Sequence, residues 1–450
     1  MFNKRISFFI VTLFFIMQAC TAPIKSKTKD ETAWSKQTNI YEVNLRQYTA
    51  SGSFTDFAKS LPRLKDMGVE ILWFMPITPI GIEGRKMTAA DLGSYYAVRN
   101  YKAVNEEFGT MDEWKALVKT AQGMGFKVIT DWVANHTALD NPWVQTHPGF
   151  YVKDSTGKMV SPFDWTDVYK LDYKNNEMRD SMIAAMKYWI TETGIDGFRC
   201  DVAEEVPQDF WKQCIDSLRK IKNVFMLAEG EKPWLHEAGF NETYAWQNMH
   251  LMKELYEGKK SLSYFDSVLT HNMSIYPKNA ARLYFTTNHD ENSWNGTEYE
   301  KYGDAAKAFA VFTQTIYQSI PLIYSGQEEP NKKRLKFFVK DTIEWKQYAM
   351  APFYKTLLHL RKLNPALAYD AAYKKLSTSS DTAVFAYLRK SDSHKLLVVL
   401  NFSNKPQKFY INDAAINGVP ENVFLGKPEK LSDKETFSLA PWNYLVYDYK

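Results

Sequence analysis

Residues 177–220 read EMRDSMIAAMKYWITETGIDGFRCDVAEEVPQDFWKQCIDSLRK, and the order of patterns within them decides the fold. Glu177–Thr193 places apolar residues at helical spacing and Phe210–Lys220 does so again. Between them, Gly197-Phe-Arg-Cys-Asp201 is a short strand that ends on a carboxylate. A buried strand flanked by amphipathic helices is the unit of an α/β protein, where helices carry the chain between parallel strands.

The same alternation continues in both directions. Candidate strands are Ile40–Leu45, Val69–Phe74, Phe126–Asp131, Val224–Ala228, Ala245–Met249, Leu283–Thr287 and Leu322–Tyr324. Helical patterns cover Phe54–Met67, Met111–Met124 and Asp304–Ser319, with Thr110 and Asp209 placed to cap the helices that follow them. Together with 197–201 this makes eight strands, and no Gly-rich phosphate loop follows the first. The pattern predicts a (β/α)8 TIM barrel over residues 39–370 rather than a doubly wound sheet. After Asp131 about forty residues pass before the next helix, too many for a simple connection, so a small inserted subdomain is expected at about 137–175. It carries Trp143, Tyr151, Phe163 and Trp165 and should wall one side of a cleft. Residues 371–450 turn to short alternating runs, the signature of a C-terminal all-β sandwich.

Composition narrows the class without deciding it. With 450 residues, 45% hydrophobic, the chain can bury a large core, and a net charge of +4 without like-charged blocks gives no nucleic-acid footprint. The Lys332–Arg334 patch with Lys336 reads as a solvated loop. At the N-terminus, Lys4 and Arg5 precede the apolar run Ile6–Met17, which is too short for a spanning helix and reads as a signal peptide over residues 1–19. Met17-Gln-Ala-Cys20 resembles a bacterial lipoprotein box that would lipidate Cys20, followed by a polar tether to residue 38. Cys200 and Cys214 then remain, read as two buried free thiols.

Four predicted strands end in polar residues that are costly to bury without purpose. These endings are Asp131-Trp-Val-Ala-Asn135-His136, Gly197-Phe-Arg199-Cys-Asp201, Ala228-Glu229-Gly230 and Thr287-Asn-His289-Asp290. Singly, each could be a helix cap or a structural ion pair. On one barrel they converge on one rim, where barrel enzymes keep their reactive groups.

With these motifs the chain resembles the α-amylase family of glycoside hydrolases, called family thirteen, from about residue 39 onward. Tyr96-Ala-Val-Arg-Asn-Tyr101 with Phe108-Gly-Thr110, Leu171-Asp-Tyr173, and Asp201-Val-Ala-Glu-Glu205 with Phe210-Trp211 match further family segments. The last of these is close to the cyclomaltodextrinase and neopullulanase branch. The resemblance implies Asp201 as nucleophile, Glu229 as acid/base and Asp290 as the third carboxylate. It implies that Arg199 orients Asp201, that His136 and His289 donate to sugar hydroxyls, that Tyr96 stacks on the sugar and that Asp131 braces the cleft floor. Asn135 matches a calcium ligand of the family, but Glu204-Glu205 replace the Lys-His common after the nucleophile, which puts calcium in question. The expected activity is retaining, endo-type hydrolysis of α-1,4-glucosidic bonds in starch or maltooligosaccharides. A cyclomaltodextrinase-like or transglycosylating enzyme is the alternative, and a non-catalytic glucan-binding lipoprotein the alternative of another class. The expected partners are an α-glucan and, through the Cys20 lipid, a membrane, with the chain a monomer at the periplasmic face or cell surface of the outer membrane.

Overall fold

The computed structural model describes residues 33–85 and 90–449. The expected signal segment and Cys20 lie outside them. The tether reading to residue 38 is too long, because the chain is already docked at Ala33–Ser35. There the Trp34 ring sits 5.9 Å from that of Phe225, and Lys127 Nζ lies 5.4 Å over its face.

Eight parallel strands close the barrel: β1 (Ile40–Val43), β2 (Ile71–Phe74), β3 (Lys127–Val133), β4 (Gly197–Asp201), β5 (Phe225–Ala228), β6 (Glu242–Tyr244), β7 (Ala281–Tyr284) and β8 (Ser319–Tyr324). Each strand pairs with its sequence neighbours, and β8 returns to β1 with Ile40 opposite Leu322. Side chains alternate across the wall. On β4, Arg199 and Asp201 point inward, while Phe198 and Cys200 join the apolar layer beneath the helices with Trp132, Trp211 and Cys214. Cys200 and Cys214 are both buried and free.

Helix ends follow local chemistry. Thr110 and Glu113 form a reciprocal capping box on Met111–Gly123. Asp209 does not cap its helix: Pro207 precedes Gln208–Arg219, and Asp209 lies in the first turn, bound to Arg179 at 2.7 Å. The helix expected over 54–67 is two, Phe54–Ala58 and Leu61–Met67. The sixth strand also differs from expectation. Ala245–Met249 lies mostly in a helix, Trp246–Tyr256, and the strand is the polar triplet just before it. A three-residue strand carries too little alternation to be told from the amphipathic run that follows.

The insertion after β3 folds as a ribbon of His136–Ala138 with Val168–Lys170, plus the short helix Pro142–Thr146. It is pinned to the end of β3, since Leu171 N–H donates to the Asn135 carbonyl and Tyr173 Oη to that of Ala134. The C-terminal region is an antiparallel sheet that includes β9 (Ala372–Leu376), β10 (Val384–Ser391), β11 (His394–Asn401) and β12 (Tyr444–Tyr449). One face (Val384, Ala386, Leu397, Val399) packs on the ribbon Gln407–Phe409 with Phe437–Leu439. The other (Phe385, Tyr387, Leu396, Val398, Leu400) shares a core with barrel residues such as Phe265, Phe309 and Phe312.

Candidate active site

Arg199 is the hub of the rim. Its side chain has no solvent exposure, and one nitrogen, Nη1, donates to Asp131 Oδ1 at 3.0 Å and to Asp201 Oδ1 at 3.0 Å. Nη2 lies 3.1 Å from Glu229 Oε1, close enough for an ion pair though off the hydrogen-bonding axis. Nε donates to Tyr244 Oη at 3.2 Å, and the guanidinium stands 5.0 Å over the Trp73 ring. Three strands thus deliver three carboxylates to one buried cation. The charge count shapes their protonation. Burial first, then the Glu229 charge, raises Asp201 well above the carboxylate range, with Arg199 opposing. Burial likewise pushes Asp131 up to about 6 against the pull of Arg199. Burial thus works against full ionisation of the cluster, and Arg199 works for it.

Glu229 is positioned from below by a strained backbone. Val202, next to Asp201, adopts φ 36° and ψ 48°, a left-handed conformation rare for a β-branched residue. In that conformation its N–H donates to Glu229 Oε2 at 2.8 Å. The main chains of the two segments are also tied, Glu229 N–H to the Cys200 carbonyl and Ala203 N–H to that of Glu229, both at 3.0 Å.

A second unit stands alongside. His289 Nδ1 is 2.5 Å from Glu42 Oε1 on β1, and Nε2 is 3.2 Å from Asp290 Oδ2 and 2.7 Å from Tyr96 Oη. Burial opposes charge on His289, but Asp290 and Glu42 overcome it and hold the imidazolium well above its ordinary range. Burial would in turn raise Asp290, and the facing His289 charge brings it below the usual carboxylate value. Its side chain keeps 35% exposure, open to the cleft. His136 has no such partner, and burial pushes it down to about 3, so it stays a neutral donor or acceptor.

The cleft above has a volume of about 380 Å³ and is lined among others by Tyr96, His136, Asp201, Glu229 and Asp290. The structure therefore brings the sequence-predicted residues together, in two tiers. Arg199, Asp131 and His289 lie beneath, reaching the cleft through their partners, since Tyr96 Oη donates to Asp131 Oδ2 at 3.2 Å. Of the insertion's aromatics, Trp165 lines the cleft, whereas Trp143 turns inward onto Tyr101 and Tyr151 onto Thr137. Trp294, Phe337 and Phe338 line the cleft as well and were not legible as site residues. Glu42 carried one signal, a lone acid inside an apolar strand.

Asn135 is buried, and its amide nitrogen lies 3.3 Å from His136 Nδ1. The acids that replace the family Lys-His are engaged elsewhere. Glu204 accepts the N–H groups of Glu231 and Lys232, and Glu205 pairs with Lys170 at 3.8 Å. Among the described residues no three carboxylate, imidazole or thiolate groups are placed to hold a metal ion. The calcium expected on Asn135 and oxygens of the insertion would draw on amide and backbone carbonyls rather than on such a cluster.

A closed barrel whose C-terminal rim gathers acidic residues around an open, aromatic-walled cleft is the architecture of a glycoside hydrolase. Comparison with known proteins makes this specific. The alpha-amylase catalytic-domain model matches residues 30–170 and 151–350, and the alpha-amylase SusG C-terminal-domain model matches 384–446. The chain belongs to the α-amylase family, glycoside hydrolase family thirteen. It is 25% identical over 398 residues to alpha-amylase MalA of Haloarcula japonica, an alignment spanning 84% of this chain and 57% of that protein. It is 24% identical to a cyclomaltodextrinase of Thermoanaerobacter pseudethanolicus, over 80% of this chain and 65% of that one. Among solved structures, the noncanonic maltogenic alpha-amylase AmyB from Thermotoga neapolitana superposes with a TM-score of 0.84 at 30% identity, covering 92% of this chain and 99% of the other.

Proposed function

We propose that the chain hydrolyses internal α-1,4-glucosidic bonds of starch-type glucans and maltooligosaccharides, with retention of anomeric configuration. The observation that carries this reading is the pairing of Asp201 and Glu229 on the two ends of one buried guanidinium, beside an open cleft. Double displacement needs two carboxyl groups about 5–5.5 Å apart, and two acids bound to one guanidinium are near neighbours. Asp201 attacks the anomeric carbon as Glu229 gives its proton to the departing glycosidic oxygen, leaving a glucosyl ester on Asp201. Glu229, now a base, takes a proton from water, which displaces Asp201 and restores both groups.

The second unit suits the charge that develops in between. Asp290, kept ionised by His289, faces the cleft and stabilises the oxocarbenium-like sugar. Tyr96, half-buried and hydrogen-bonded at its hydroxyl, offers its ring to the sugar's C–H face, and neutral His136 offers a ring nitrogen to a hydroxyl. A non-catalytic glucan binder has no need for this buried cluster of three carboxyl groups on one cation.

A second reading, a cyclomaltodextrinase-like or maltogenic enzyme, is favoured by the Asp201-Val-Ala-Glu-Glu205 stretch and by the names of two relatives. Products followed over time on amylose, pullulan and cyclodextrin separate the two. Falling amylose chain length ahead of cyclodextrin opening supports the endo reading; rapid ring opening with intact amylose supports the other.

A further inference from the structure

The eight strands begin on the face opposite the cleft, and that floor carries features the reaction does not use. Trp34 covers part of it. Its ring lies against Phe225 at the start of β5 and stays 38% exposed, with Lys127, the first residue of β3, over its face. Two more apolar side chains stand out in solvent there. Ile221, in the turn ahead of β5, is 45% exposed, and Leu363, at the end of the helix Ala351–Leu363, is 75% exposed. Gln37 ties that helix end to the N-terminal segment, its amide donating to the carbonyls of Arg361 and Lys362.

The floor is also basic. Asp196, buried just ahead of β4, draws two lysines at once, Lys222 at 3.0 Å and Lys127 at 3.4 Å, so the three together keep a positive charge. Lys220 and Lys278 lie exposed in the turns ahead of β5 and β7. The acids Glu70 and Asp370 are matched by Lys362 and Lys36. Apolar side chains set among lysines suit the boundary between lipid headgroups and acyl chains, where a tryptophan ring lies at headgroup level and lysines are drawn to anionic lipid. The sequence supplies the tie: between Cys20, the expected lipidation site, and Ala33 lie about a dozen residues, which span at most roughly 45 Å fully extended.

We propose that this floor, with Trp34, Ile221 and Leu363 set among Lys127, Lys220, Lys222 and Lys278, rests on an anionic lipid surface to which Cys20 tethers the chain. The cleft, at the other ends of the strands, then opens away from the membrane. A glucan reaches it from the aqueous side, unobstructed by the bilayer.

The test uses the full chain reconstituted in vesicles of phosphatidylglycerol with phosphatidylethanolamine, and in vesicles of phosphatidylcholine. Lysine acetylation by acetic anhydride is mapped by mass spectrometry in each. On the anionic vesicles, acetylation of Lys220 and Lys278 should fall about 5-fold relative to detergent solution. Lys158 of the insertion and Lys336, next to Phe337 of the cleft, should react as before. Phosphatidylcholine should protect the floor less, and Lys220→Glu combined with Ile221→Ser should free Lys278 with Tm and glucan turnover unchanged. Equal reactivity of floor and mouth on the anionic vesicles overturns the proposal, as does protection at Lys158 and Lys336 instead. Protection equal on both kinds of vesicle, or a Cys20 peptide that carries no lipid mass, overturns it too.

Discussion

Asp201 answers to two opposed demands, since it must be ionised to attack and yet lies in a site that resists the charge. Burial and Glu229 raise it, Asp131 and Asp290 add to the effect, and Arg199 pulls it down. A carboxyl raised in the folded state above its unfolded value of about 3.9 costs stability once pH exceeds that value, and an amide in its place does not. Asp201→Asn should therefore lower kcat by about 10⁴-fold or more and at the same time raise Tm at pH 7, with the gain vanishing at pH values below about 3.9. A Tm at pH 7 equal to or below wild type would contradict this electrostatic account. Glu42 is the corresponding case for His289. Glu42, Asp290, Asp131 and Tyr96 are titratable groups that face that ring, and the first two hold its proton. In an NMR titration, wild-type His289 should stay protonated well past pH 6.5, and Glu42→Gln should shift its midpoint down by about 1 unit or more. An unmoved midpoint would show that Asp290 alone holds the proton.

At the scale of elements, legibility in the sequence tracked length and chemistry. The strand 197–201 was readable because five buried residues stand between two long amphipathic helices, and the structure keeps its bounds unchanged. The sixth strand was not, because three residues with polar ends carry no usable alternation. Among site residues, the motif-bearing strand ends were legible, whereas Trp294, Phe337 and Phe338 sit on segments where an aromatic reads equally as core. Gly197 shows what fixes one strand against the next: a Cβ added there would lie 1.8 Å from the Phe225 carbonyl oxygen on β5. Since β4 and β5 carry Asp201 and Glu229, Gly197→Ala should destabilise by about 1–3 kcal/mol or more and lower activity beyond the loss of folded protein. Denaturant unfolding paired with an active-site titration checks both, and a wild-type specific activity per folded molecule would show that register at Gly197 does not set the carboxylate pair.

For the whole molecule, the C-terminal sheet is part of the barrel's stability. Its inner face shares one apolar core with helices of the barrel, and Arg389 on β10 donates to the carbonyls of Thr315 and Ile316 at 2.9 and 2.7 Å. Calorimetry should accordingly show one cooperative transition for residues 33–449, and two separated transitions would mean the sheet is a mere appendage. The barrel in turn assembles a reaction from residues that are far apart in the chain, with β3, β4 and β5 each lending one acid to Arg199. That convergence is what the chemistry stands on. It is tested most directly by peptide mapping in a mass spectrometer after exposure to a fluorinated α-glucosyl fluoride, whose ester with the enzyme turns over slowly. The added glucosyl mass should fall on the peptide that contains Asp201 and be absent from Asp201→Asn, whereas a label on another residue, or rapid turnover with inverted product and no label, would contradict the account.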